Sequence, residues 1–207
     1  MAALALVLVL AAATKPVVVR ASEAAAPCVL AAARAYSAPA SAAVETGDLR
    51  SGSADVLVGS SVEITRAVEN GRAADGTETD VARIPWVLVV VAGNPLKIGG
   101  LADLVAKGAD VVVLGGPAAY EARRALAAHP SERVHETTDA RSLSEAAVAL
   151  APLSLAGGGE RIAVDVPPIL TRAVVTVDAN RPDAARAFVR FLGSAAGQKV
   201  FAACTTP

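Results

Sequence analysis

The sequence predicts an α/β fold of two lobes joined by two crossing strands. Trp86 to Val91 (WVLVVV) is a continuous apolar run with no polar face, as expected of a strand covered on both sides. Gly93, Asn94 and Pro95 then stop it, and a second set of α/β units begins. A matching run, Ile169 to Val177 (ILTRAVVTV), lies near the C-terminus and precedes one more helical segment. One crossing out and one back make a first lobe of residues 14–84 with 170–207 and a second of 85–169, with a cleft between them.

Composition narrows the function classes. The chain has 207 residues, 54% of them hydrophobic, enough to bury a core as one domain or two small lobes. Its 19 Lys and Arg nearly balance its 20 Asp and Glu, so no general attraction to nucleic acid or an anionic membrane is expected. Only 3% of residues are aromatic, which removes the stacking platforms of single-strand binders. Beyond the N-terminus no apolar run approaches the span of a bilayer.

At the N-terminus, Ala2 to Ala13 (AALALVLVLAAA) has signal-peptide length and ends in small residues. It is expected to be an export signal occupying 1–13 and cleaved before Thr14. The basic n-region is missing, so a buried strand or helix is the alternative. Export would place the mature protein in the periplasm or outside the cell, with Cys28 and Cys204 in an oxidising compartment. Their spacing fits neither a metal site nor a thioredoxin-like motif.

Along the first lobe, Val17–Val19 reads as a short strand and Glu23–Tyr36 as an Ala-rich helix, with Pro27 in its N-terminal turn. Ser22 therefore stands where strand meets helix, beside unpaired backbone N–H groups that can hold an anion. A simple capping role for Ser22 is the alternative. Residues 36–43 read as a loop of small residues containing Ser41, 44–51 as a weak helix, and 54–58 as a buried strand ending in Gly59, Ser60 and Ser61. A short helix over 62–70 closes at Gly71, and 72–80 read as a surface loop.

In the second lobe, Leu101–Lys107 is a helix closed by Gly108, and Val111–Leu114 a strand running into Gly115, Gly116 and Pro117. Ala118–Ala128 follows as a helix. The Gly-Gly-Pro turn lets backbone approach a ligand, but it has neither the GxGxxG spacing nor the Lys-Ser/Thr of a phosphate loop. His129 and His135 have no acidic or cysteine partner at ligand spacing, so no metal or cofactor is expected and both read as solvated loop residues. Val134–Glu136 is a candidate strand, Ser142–Leu150 a helix with Ser142 and Glu145 in capping-box spacing, and Pro152–Ala156 and Ile162–Val166 short strands. After the return strand, Pro182 opens an amphipathic helix and Ala195–Ala203 a last one.

ADVLVGS at 54–60, VLVVVAGNP at 87–95 followed by LADL at 101–104, PAAYEARRAL at 117–126 and ARAFVRFLGSAAGQKVFA at 185–202 together resemble one family. The chain is similar, over roughly residues 15 to 203, to the molybdate-binding type of periplasmic solute-binding protein, the receptor of an ABC importer. The resemblance implies a type II-like periplasmic-binding-protein fold closing by hinge motion, a small oxyanion ligand such as molybdate or tungstate, a membrane permease as partner, and a monomer. The family grips its anion with serine hydroxyls and backbone N–H groups. Carried over by position, the hydroxyls match Ser22 and Ser41, and the backbone donors match Ala118 and Ala140. This sequence departs from the family where a run of serines is reduced to Ser41 among alanines. It departs again where a tyrosine-bearing strand becomes APLSLAGGG, with Ser154 but no Tyr; Ser60, Ser61 and Ser154 are the further candidates. The same order of elements would put Cys28 and Cys204 in helices against one sheet, as a disulfide or as two buried thiols.

Two other readings remain. A small serine-dependent α/β enzyme would use the Gly59-Ser60-Ser61 turn, which has no GxSxG elbow and no histidine with a recognisable carboxylate partner. A sensor domain of the same fold is the other.

Overall fold

A computed structural model describes residues 15–38 and 40–205; the expected export signal lies outside the described residues. In chain order the elements are β1 (Val17–Ala21), α1 (Ala26–Ala35), β2 (Ala42–Thr46), β3 (Val56–Ser60), α2 (Ser61–Glu69), β4 (Thr79–Ile84), β5 (Trp86–Val90) and α3 (Leu101–Lys107). There follow β6 (Val111–Leu114), α4 (Tyr120–Ala125), β7 (Val134–Thr137), α5 (Ala140–Glu145), β8 (Val148–Pro152), β9 (Glu160–Ala163), β10 (Ile169–Val175), α6 (Pro182–Gly193) and α7 (Ala195–Cys204). They build two five-stranded mixed sheets, ordered β2-β1-β3-β10-β4 and β7-β6-β8-β5-β9.

Burial explains which strands are central. Every residue of β3 and of β5 is buried, because helices or loops cover both faces, and apolar runs without alternation are what such positions require. In β1 the pattern alternates, with Val17, Val19 and Ala21 inward. Three neighbouring strands in each sheet run parallel, β2-β1-β3 and β7-β6-β8, and one strand in each runs the other way, β10 in the first and β5 in the second, pairing antiparallel on both sides and so leaving the outer β4 and β9 in the common direction.

The sheets are joined at a proline. Ile84 closes β4, paired with Ile169 of β10, and after Pro85 the chain enters the second sheet with Trp86 opposite Pro152. The Pro85 carbonyl accepts a 2.8 Å bond from Leu153 N–H, while the ring offers no donor to either ladder. The return passes from β9 through 164–168, including Pro167 and Pro168, into β10. The predicted loop over 72–80 thus hides the first residues of β4, a strand separate from the run at Trp86.

Other sequence expectations are corrected. Residues 42–46 form β2 rather than loop and weak helix: parallel pairing with β1 over five residues supplies the ladder. The helix expected over 142–150 ends at Glu145, and its cap is Asp139, whose Oδ1 accepts a 2.9 Å bond from Arg141 N–H. Val148–Pro152 is instead a fully buried strand between β6 and β5. Leu153–Leu155, expected in a strand, forms a 3-10 turn, and the helix after Pro117 is shortened to a 3-10 turn over Pro117–Ala119 and then α4. His129 is not solvated. It is 5% exposed, with Nε2 2.7 Å from the Ala109 carbonyl.

Two tethers hold the first lobe. Asp55, 2% exposed, accepts backbone N–H bonds from Val18 at 2.8 Å, Asn180 at 2.7 Å and Arg181 at 3.3 Å. It thereby ties the first strand to the entrance of α6. Cys28 of α1 and Cys204 of α7 form a disulfide with Cα atoms 5.5 Å apart, closing a separation of 176 residues. Cross-linking so long a loop removes disorder from the unfolded chain, so replacing both cysteines with alanine should destabilise the protein by about 2–5 kcal/mol. Urea unfolding of the variant measures the loss, and because the bond lies within one lobe, ligand affinity should not change.

Candidate functional site

The C-terminal ends of the parallel strands in both sheets open onto one cleft. Ligands of open α/β sheets lie outside the carboxyl ends of strands, where the chain turns into helices with unpaired N–H groups. Segment 22–24 after β1, 47–50 after β2 and one face of α2 supply the first-lobe wall. Segment 114–118 after β6 and Thr138 after β7 supply the other, enclosing about 980 Å³.

Ser22 is the central hydroxyl. It is 7% exposed and lines the cleft, and its Oγ has no hydrogen-bond partner among the described residues. It does not cap α1: the cap position is Ala25, with no side-chain bond, and Ser22 uses its backbone instead, its N–H donating to the Val58 carbonyl and its carbonyl accepting from Ala25 and Ala26 N–H, all at 2.9 Å. The turn this makes leaves the N–H groups of Glu23 and Ala24 without a partner among the described residues. Opposite, Gly116 adopts a left-handed φ of 86°, which lets the chain turn from β6 into the 3-10 turn at Pro117. The N–H of Ala118 there has no partner within that turn.

The remaining expected residues are placed elsewhere. Ser41 precedes β2, and since β1 and β2 run parallel with Val17 beside Ala42, it sits at the end of the sheet away from Ser22. Its carbonyl accepts from Val17 N–H at 2.8 Å. Ser60 caps α2: its Oγ donates to Glu63 Oε2 at 2.7 Å and accepts from Glu63 N–H at 3.3 Å, a reciprocal capping box. Ser154 spans the lobes away from the cleft lining, its Oγ donating to the Ala24 carbonyl at 2.6 Å. Ala140 begins α5 behind the rim, and Thr138 reaches the cleft instead. Sequence reading missed the 47–50 loop, hidden once β2 was read as helix, and the polar face of α2, whose Glu63, Arg66 and Asn70 fall at helical spacing.

Charge on the lining is mixed. Arg50, Arg66 and Arg72 face Glu23, Asp48, Glu63 and Asp178. Arg50 forms an exposed pair with Asp48 at 2.8 Å, and its hydrogen bonds hold the Asp48 carboxyl below the ordinary carboxylate range. Burial, with Asp139 adding repulsion, raises the pKa of Glu23 above its ordinary 4.5. Among the described residues no group of three or more His, Cys, Asp or Glu is placed to hold a metal, and no helix is long and apolar enough to cross a membrane.

Residues 6–203 fit the model of the bacterial extracellular solute-binding proteins. The chain belongs to that family. No curated protein matches this family member by sequence. Among solved structures it is similar to the periplasmic molybdate-binding protein of Azotobacter vinelandii, at a TM-score of 0.76 and 13% identity over 91% of this chain and 97% of that one. It is also similar to the sulfate-binding protein SubI of Mycobacterium tuberculosis, at 0.76 and 19% over 93% and 86%. PEB3 bound to L-phospholactate, a protein of Campylobacter jejuni, gives 0.72 and 17% over 91% and 98%. At these identities the likeness establishes the two-lobed α/β fold.

Two measurements follow from the placements. Ser60→Ala should cost about 1 kcal/mol of stability through its lost cap, whereas Ser41→Ala should change stability by less than about 0.5 kcal/mol, both read by urea unfolding. Since the folded state holds the Glu23 proton more tightly than the unfolded chain, this group stabilises most below pH 4.5 and its contribution declines as pH rises through the raised pKa. Glu23→Gln should flatten that decline as pH rises above 4.5, read by urea unfolding at a series of pH values.

Proposed function

We propose that this protein is the extracytoplasmic receptor of an ABC importer, binding a tetrahedral oxyanion in the interlobe cleft and handing it to a membrane permease. The observation that carries the reading is Ser22: a buried hydroxyl with no hydrogen-bond partner among the described residues, set on the cleft beside the N–H groups of Glu23 and Ala24, which likewise have none among them, and with Ala118 on the opposite wall. A buried polar group left unmatched costs free energy, and an anion accepting from the hydroxyl and the N–H groups removes that cost. Helix and turn starts favour negative charge without charged side chains. The molybdate, sulfate and L-phospholactate named for structural neighbours are all anions with such a tetrahedral group.

Closure would bring the Ser22 and Ala118 walls together, hinging at Pro85, between the Ile84–Ile169 and Trp86–Pro152 pairs, and across 164–168, where the chain passes between the sheets. Lobe I would then be 14–84 with 170–207 and lobe II 85–169, in a monomer that needs no cofactor. The serine-enzyme reading is the less favoured one: in its Gly59-Ser60-Ser61 turn the Ser60 hydroxyl is bonded to Glu63 in the capping box.

Calorimetry with molybdate, tungstate, sulfate and phosphate tests the proposal, with saturable binding of at least one expected and no binding of any overturning it. Ser22→Ala removes a hydrogen bond to a charged ligand, worth about 1.5–3 kcal/mol, so affinity should fall about tenfold or more. The melting temperature of the free protein should stay near that of the parent, since Ser22 caps nothing.

A further inference from the structure

The wall that α2 gives to the cleft carries hydrogen-bond acceptors as well as donors. Glu63, Arg66, Ala67 and Asn70 stand at i, i+3, i+4 and i+7, one face of the helix, and all four line the cleft. Glu63 is bonded to Ser60 through Oε2, and its Oε1 has no hydrogen-bond partner among the described residues. The Arg66 guanidinium forms no ion pair among the described residues. Beside them, a methyl group placed on Gly59 would lie 3.0 Å from Glu63 Oε2 and 3.4 Å from Ser22 Oγ. The carboxylate and the unpartnered hydroxyl therefore flank the Gly59 backbone together with Leu49, whose Cδ1 would stand 2.5 Å from that methyl. Glu23, next in chain to Ser22, brings a second carboxyl to the same wall.

A fully deprotonated oxyanion has no proton to give these carboxylates. Against them it meets charge of its own sign, acceptor facing acceptor. A ligand that brings hydroxyl groups reverses the sign of that encounter: the carboxylates accept from the hydroxyls, and Arg66 and Asn70 donate to them. Room is available, since a cleft of about 980 Å³ lies toward the top of the range of about 300–1,000 Å³ that organic ligands occupy.

Resting on the oxyanion reading of the cleft, we infer that the ligand is a phosphomonoester of a small hydroxylated molecule. Its phosphate sits on the Ser22 hydroxyl and the N–H groups of Glu23, Ala24 and Ala118. Its hydroxylated body lies along Glu63, Arg66 and Asn70.

Calorimetry on the full chain at fixed ionic strength, with molybdate, sulfate, inorganic phosphate, glycerol 3-phosphate and glucose 6-phosphate, tests the inference. At least one ester should bind ten times more tightly than molybdate or sulfate. Glu63→Gln keeps the capping box, because glutamine also serves at that helix position, and should narrow the gap at least fivefold by relieving the repulsion of the bare anions. Glu23→Gln, in a turn with no capping duty, should narrow it too. Molybdate or sulfate binding as tightly as the esters overturns the inference while leaving the oxyanion reading intact, and so does inorganic phosphate matching the esters. An unchanged gap in both variants, each melting like the parent, removes the carboxylates from ligand choice and overturns it as well. Absence of binding by every probe overturns the oxyanion reading itself.

Discussion

The pairing of Ile84 with Ile169 fixes the arrangement of everything else. These residues close the last ladder that β4 and β10 share, and one residue further on, at Pro85, the chain leaves the first sheet for the second. Because Pro85 has no N–H to extend either ladder, each sheet terminates cleanly there and the lobes stay separate layers. The Pro85 carbonyl, held by Leu153 N–H, anchors the crossing to the second lobe. Ser154, next in chain, adds a bond to Ala24 of the first. The cleft is open on the side where the β1 and β6 turns face each other because the crossings hold the opposite side.

Within the first lobe, the buried Asp55 carboxylate explains why Ser22 can stand unpaired. By accepting from Val18, Asn180 and Arg181 N–H groups, it locks β1 against the segment entering α6. Strand β1 also has ladder partners on both sides, so the backbone leading to Ser22 is held from three directions. A hydroxyl on so fixed a strand end does not relax to find a local acceptor, and it remains available to whatever enters the cleft.

The sequence was most legible where local chemistry and tertiary demand agree. Leu101–Lys107 ends at Gly108, which takes the left-handed φ of 58° that a helix stop favours, and Pro182 opens α6 as its fixed φ allows. The Trp86 run lies inside its sheet, paired on both sides, as an unalternating apolar strand should be. Failures cluster in alanine-rich stretches. Neither AAVET of β2 nor VALAP of β8 carries a strong period, since alanine fits helix and strand alike, and only pairing with β1 or with β5 and β6 decides the outcome. The misplacement of Ser41 followed directly, for a serine before a strand and a serine after it lie at opposite ends of the sheet. Ser60 illustrates the other limit: spacing showed a hydroxyl at a helix start, but only the geometry shows it committed to Glu63.

The Cys28–Cys204 bond encloses both crossings and the whole second lobe in a single covalent ring. One peptide cleavage anywhere between those residues would therefore leave two fragments that still travel as one molecule, with the lobes held together by their sheets and the ends by sulfur. Protease damage to an exposed loop, such as the one around Gly93, would nick the protein without dissociating it until a reductant intervened.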